Sequence, residues 1–297
     1  MRSLRLLLPA LLCLCSGILQ SQPYVSATAE NTKPKAMTAR DVIERIKENL
    51  TVEWKPGGVD TIKAGDWEQE VTGIATTFMA TLDVLKRAHA QGANLIITHE
   101  PTFYNHLDDK TYFEDDPVYQ AKMKFIQDNN MVVWRFHDYW HMTEPDGIFV
   151  GVVRAFDWDK YRDGEQQIFD IPATNLGALA SELRKKFNTS TVRVVGPAGM
   201  EISRVGILPG AYGMRPQVKM IRESDIDVLI IGESAEWETV EYVRDGLEAG
   251  IRKALIVMGH ADSEEPGMEY CAEWMDTFIE EVPVIFVPAG NPLWTAE

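Results

Sequence analysis

The chain has 297 residues, with 29 Lys and Arg against 45 Asp and Glu, and a formal net charge of −16. That balance argues against nucleic acid or an anionic membrane as partner, since both are recognised by basic surface. With 45% hydrophobic residues, the composition excludes a disordered chain and suffices for one large core or two smaller ones.

The first residues read as a secretory signal peptide. Met1 to Arg5 is a basic n-region, and residues 6–15 are an apolar stretch too short to span a bilayer. Cleavage after Gly17, Ser21 or Ala29 fits the pattern, so residues 1–29 hold the leader and the start of a loose tail. A lipid anchor at Cys13 or Cys15 is disfavoured by Leu12 and Leu14, where small residues belong. The expected destination is the periplasm or the exterior. No other stretch is apolar enough to span a membrane. Loss of the leader leaves Cys271 as the sole cysteine of the three, so no internal disulfide is expected, and its apolar setting suggests a buried, inert thiol.

Thr38 is a candidate N-cap for a helix carrying Val42, Ile43, Ile46 and Leu50 on one face. After a Gly-rich connection the pattern predicts strand 71–77, helix 81–90, strand 95–98, helix 119–129, strand 131–136 and helix 147–156. This βαβ rhythm implies a parallel sheet covered by helices. A charged turn at 157–164 precedes strand 167–171, helix 175–187 and strands 192–195 and 204–208, read as a smaller lobe over 157–211. Alternation then resumes with helix 216–223, strand 228–231, helix 236–248, strand 254–257, helix 264–280 and strand 284–287. The expected architecture is two interlinked α/β lobes. Residues 38–156 and 212–297 form the main one, the C-terminal part returning to complete the first sheet.

Five of the six histidines lie in three segments where an apolar strand runs out: LIITHEPTFYNH (95–106), VVWRFHDYWH (132–141) and ALIVMGHADSE (254–264). Strand ends of an open α/β sheet bring distant side chains into one crevice, and His with Glu is a ligand set for zinc, manganese or iron. Any one segment alone is more simply a partly buried histidine. Three together, each with an acid close by, point to a metal site. His99 and Glu100 follow one strand directly, with Pro101 turning the chain away. His137 and His141 follow the second. His260 and Glu264 straddle a strand-to-helix turn in which Ser263 could cap the helix. Glu233 ends another strand and could serve as wall or general base, or more simply as a helix N-terminal cap or solvated acid. Tyr139, Trp140 and Trp237 could stack on a planar substrate or serve in the core. His106 and Asp108 could line the entrance but read more simply as a polar loop, and His89 as an exposed helical residue. Neither a Walker loop nor a nucleophile elbow is present, so nucleotide cofactors and serine chemistry have no support.

The three motifs, in this order and spacing, resemble the Nif-three-like dinuclear-metal family, some of whose members are called type-two GTP cyclohydrolases. Thr98-His-Glu-Pro101 is similar to the family's Thr-His-His-Pro, His137-Asp-Tyr-Trp-His141 to its His-Thr-Asn-x-Asp, and Gly259-His-Ala-Asp-Ser-Glu264 to its Gly-His-x-x-Ser-Glu. The resemblance runs from about Thr38 to the C-terminus. It implies a two-lobed α/β protomer, a homo-oligomer (often a toroidal hexamer) and two divalent metal ions per chain. Its ligand positions fall on His99, Glu100, His141, His260 and Glu264, with His137 left to orient a ligand or relay a proton. Glu100 stands where the family has His and His141 where it has Asp, so three imidazoles and two carboxylates are retained. Two divalent ions sharing a water would hydrolyse a phosphoester or a cyclic amide-like ring, with His137 or Glu233 moving the proton. An exported chain would meet little GTP. The rival reading is a non-catalytic metal-binding protein or scaffold.

Overall fold

The structure is a computed structural model that describes residues 36–164 and 167–296. The signal-peptide reading of residues 1–29 therefore lies outside the described residues. Residues 36–297 form one compact unit.

Helix α1 (Ala39–Glu48) starts at Thr38, whose hydroxyl accepts from the Asp41 amide while the Asp41 carboxylate accepts from the Thr38 amide. This capping box satisfies two amides that the first turn leaves without helical partners. There follow β1 (Ile62–Ala64), β2 (Ile74–Thr77), α2 (Leu82–Ala90), β3 (Leu95–Thr98), α3 (Pro117–Asp128), β4 (Val132–Arg135), the short α4 (Asp138–Met142) and α5 (Gly147–Phe156). The second half runs β5 (Ile168–Asn175), α6 (Leu176–Lys186), β6 (Arg193–Val195), β7 (Glu201–Leu208), α7 (Met214–Glu223), β8 (Val228–Ile231), α8 (Glu241–Glu248), β9 (Ala254–Val257), α9 (His260–Asp276) and β10 (Val284–Phe286).

Two five-stranded sheets result, ordered β1-β4-β3-β2-β10 and β5-β7-β8-β9-β6. The central strands of each are parallel, and β1, β5 and β6 run antiparallel at edges. The expectation that residues 212–297 complete the first sheet holds for β10 alone. Strand β8 pairs with β7 from Val205↔Val228 to Leu208↔Ile231, and β9 continues that sheet. Local pattern cannot choose a partner for strands buried on both faces, as β8 and β9 are. Pleat alternation then sorts their residues. Val228 and Ile230 face the central core, while Leu229 and Ile231 pack under α7 and α8.

The central core is shared by both sheets and α1, α5, α6 and α9, with Ile74, Leu95 and Ile97 on one side and Val205, Ile207 and Ile256 on the other. Helices α5 and α9 approach so closely that a Cβ at Gly151 would strike the Pro266 carbonyl, and one at Gly267 would strike Ile148. The expected helix 264–280 begins earlier, at His260, because Gly259 (φ 108°) makes the turn as N-cap. Ser263 is consequently inside the helix rather than its cap. The helix expected over 236–248 is irregular at Glu238, and regular α-helix starts at Glu241.

Candidate metal centre

The C-terminal ends of parallel strands from both sheets meet at one place. His99 and Glu100 continue β3, and their amides bond to the carbonyls of Thr77 (3.1 Å) and Phe78 (2.8 Å), prolonging the ladder with β2. His137 follows β4, Glu233 follows β8, and His260 with Glu264 open α9 after β9. Main-chain bonds from Met258 to Ile231 and Gly259 to Gly232, both 2.9 Å, hold the β8 and β9 ends in step. Sequence reasoning placed seven residues here, and the structure brings all seven together.

His99 is fully buried. Its Nδ1 lies 3.2 Å from the Phe136 carbonyl, an acceptor, so Nδ1 carries the proton and Nε2 is left with a lone pair. Nε2 is buried with no hydrogen-bond partner, and the nearest carboxylate oxygen is Glu264 Oε2 at 3.6 Å. Burial, then the neighbouring His141 and His137, press its pKa well below the ordinary imidazole value. Two buried acceptors thus face each other without a proton between them.

Around this pair the donors fall into two sets. His99, His137 and His141 have ligand nitrogens within 4.8 Å of one another, as do the donor atoms of His99, Glu100 and Glu264. His260 Nε2 lies 3.0 Å from Glu264 Oε2 and 3.5 Å from Glu100 Oε1. The far nitrogens of the rings are anchored: His137 Nδ1 to Asp138 (2.8 Å) and His141 Nδ1 to Asp146 (3.1 Å). A carboxylate behind an imidazole fixes its tautomer and aims Nε2. Glu233 stands at the rim, its Oε2 3.7 Å from His260 Nδ1 and its side chain 55% exposed.

The backbone is shaped for the Glu264 carboxylate. Gly210 (φ 69°), after β7, lies where any Cβ would collide with that carboxylate, and its amide donates to Ser263 Oγ at 2.9 Å. Charge follows the same geometry. Burial opposes protonation of His260, but its hydrogen bond to Glu264 and the charges of Glu264, Glu100 and Glu233 outweigh it and raise its pKa to about 8. His141 is also raised: burial lowers it, and Asp146 more than compensates.

Several residues of the site carried no strand-end pattern in the sequence. Asp60 is buried and its carboxylate accepts from the amides of His137 (2.8 Å), Asp138 (3.0 Å) and Tyr139 (2.9 Å), pinning the turn that presents His137 and starts α4. Arg135, fully buried, donates to the carbonyls of His99 (3.0 Å) and His106 (2.6 Å) and lies 3.5 Å from Glu100 Oε2. Asp108, expected in a polar loop, is buried and accepts from the Thr102 and Phe103 amides. Trp140 is core, donating to the Gly267 carbonyl, Tyr139 bonds Lys55, and Trp237 is 81% exposed. His89 is exposed as expected.

Fold and crevice together define an α/β protein with a His/Glu cluster, able to hold metal, where the strand ends of two sheets face each other. Residues 37–292 match the family model Duf34/NIF3 (NGG1p interacting factor 3), and the chain belongs to that family. It is 21% identical over 259 residues to the "GTP cyclohydrolase 1 type 2 homolog" of Clostridium perfringens, covering 82% of this chain and 95% of that one. In structure it is similar to Bacillus cereus protein related to NIF3 (TM-score 0.69, 12% identity, 88% of this chain and 100% of that one). It is likewise similar to Staphylococcus aureus hypothetical protein SA1388 (TM-score 0.68, 16% identity, 88% and 100%).

Proposed function

We propose that the cluster binds two divalent metal ions, zinc, manganese or iron, and that the chain is an exported metal-dependent hydrolase of phosphoesters or cyclic amide-like rings. The observation that carries the reading is the buried, unpartnered Nε2 of His99 facing the Glu264 carboxylate. A buried lone pair opposite a buried carboxylate is costly unless a cation lies between them. The donor chemistry fits such a cation, since neutral imidazole and carboxylate suit all three metals.

The ions would be held by His99, Glu100, His141, His260 and Glu264. When bound, they supply Lewis acidity that activates water and polarises the attacked bond. The remaining chemistry belongs to the chain. His137, held by Asp138 with its Nε2 3.5 Å from Glu100 Oε1, is placed to relay a proton. It also stands close enough to His99 to be a further ligand. Glu233, at the rim and open to water, is placed to take a proton from water or pass one to a leaving group. Gly210, having no Cβ, leaves the space that the Glu264 carboxylate occupies.

The basic n-region and apolar stretch of residues 1–15 support export, which makes GTP a poor substrate despite the name of the clostridial relative. Family resemblance supports self-association into a homo-oligomer, with a hexamer expected, and Trp237, Leu293 and Trp294 are exposed apolar side chains available for contact. No helix among the described residues is long and apolar enough to cross a membrane.

The test is turnover of aryl phosphoesters and of hydantoin-type rings by protein reconstituted with each metal. Hydrolysis lost in Glu264→Gln supports the proposal. Full metal occupancy with no turnover of either class would support a metal-binding scaffold instead.

A further inference from the structure

Beside the metal centre a cleft of about 670 Å³ opens between the β2–α2 connection, the loop after β3 and α3. Glu100, Glu233 and His260 reach it from the site, and Phe78, Tyr104 and Lys122 line its remaining wall. Lys122 is out of keeping with its position. It lies on the inward face of α3 with Ile126 one turn on, and the residue is only 4% exposed.

Burying an ammonium is unfavourable unless a carboxylate compensates. Lys63 Nζ has Asp108 at 3.4 Å, and Arg135 has Glu100 at 3.5 Å and Asp108 at 3.8 Å. Among the described residues Lys122 has no carboxylate within 4.0 Å, and its one hydrogen-bond acceptor is the Thr102 carbonyl at 2.6 Å. The faces of Phe103 and Tyr104, with centroids at 5.6 and 5.3 Å, complete its surroundings. Among the described residues no carboxylate or second carbonyl takes the other two ammonium protons, which have these ring faces and the cleft beside them. Lys63 and Arg135 are thus matched by Asp108, Asp60 and Glu100, and Lys122 is the buried cation of this loop without a carboxylate in contact.

We propose that this cleft is the substrate site and that Lys122 binds an anionic group, carboxylate or phosphate, of a small molecule whose apolar or planar body lies against Phe78 and Tyr104. The inference rests on the reading of the adjacent cluster as a reaction centre. Burial lowers the Lys122 pKa to about 8, so the unliganded site retains a charge near neutrality that an anion would reinforce. Tyr104, in the left-handed region (φ 63°) and half exposed, forms the outer wall, and His106 extends the polar rim.

The experiment is calorimetric titration of the full chain, as purified, with phenyl phosphate, benzoate and the neutral benzyl alcohol. At least one anion should bind more tightly than benzyl alcohol. Lys122→Met should weaken that anion by about tenfold or more, the scale of losing one charge-assisted contact, and Lys122→Arg should retain it. Methionine matches the length and removes a desolvated charge, so its thermal midpoint should not fall. If it does, Lys122→Gln repeats the test with a donor but no charge. A tighter phenyl phosphate assigns a phosphorylated ligand, a tighter benzoate a carboxylate. Equal anion affinity in the wild type and Lys122→Met, or no anion binding at about 10 mM, would overturn the proposal. Binding that depends on Lys122 without turnover would leave the anion site at Lys122 standing and remove the hydrolase. Turnover of anionic esters with KM unchanged in Lys122→Met would do the reverse.

Discussion

Replacing Gly210 by Ala should damage metal binding without touching a ligand. Gly210 has φ 69° and no room for a Cβ, because the Glu264 carboxylate occupies that space. The left-handed backbone alone costs an L-residue about 1–2 kcal/mol, and forcing an atom into a packed site adds about 1–3 kcal/mol. Gly92 separates the two effects. Its φ is 86° but nothing lies within 4 Å of its Cβ position, so Gly92→Ala should cost only the backbone part. Denaturant unfolding of metal-free protein should therefore show Gly210→Ala destabilised by about 2–5 kcal/mol and Gly92→Ala by about 1–2 kcal/mol. Displacing Glu264 should also lower metal affinity about 10–100-fold, as loss of ligand orientation does elsewhere, while Gly92→Ala binds normally. Competition with a chromogenic chelator reads this directly. Wild-type affinity in Gly210→Ala would refute the assignment of Glu264 to the metal centre.

Asp60→Ala should destabilise the protein by about 2–4 kcal/mol, because three amides at 137–139 lose their shared acceptor; a denaturation midpoint unchanged from wild type would contradict its anchoring role. In metal-free protein, the His260 pKa raised to about 8 contributes stability that is complete below about 6.5 and disappears as pH rises through 8. That contribution is at most about 2 kcal/mol, and His260→Gln should abolish the slope. His99, shifted downward, acts oppositely, its share being lost as pH falls below about 6.5. Cys271 is buried, and burial pushes its thiol pKa up, so thiol reagents should modify it only on unfolding; rapid labelling of native protein would place it at the surface.

The site was legible in the sequence because it is written at strand ends. Apolar runs located β3, β4 and β9, and the residues just past them, His99, Glu100, His137 and His260, converge because strands of parallel sheets end on one side. Glu264 was legible through its spacing from His260. What supports them was not. Asp60 lies in a Gly-rich connection 77 positions from the amide of His137 that it holds, and nothing local marks it. Arg135 and Lys122 look like ordinary polar residues of a strand and a helix, and only tertiary packing buries them. The division of strands between sheets was hidden for a related reason: β8 and β9 are apolar on both faces, so their pairing with β7 is set by the whole fold.

The most direct test of the central claim is metal content per chain, by elemental mass spectrometry, on protein purified without added metal. The account predicts about two equivalents of zinc, manganese or iron, falling in His260→Ala and Glu264→Gln. Folded wild-type protein with near-zero metal, and none taken up on reconstitution, would contradict it.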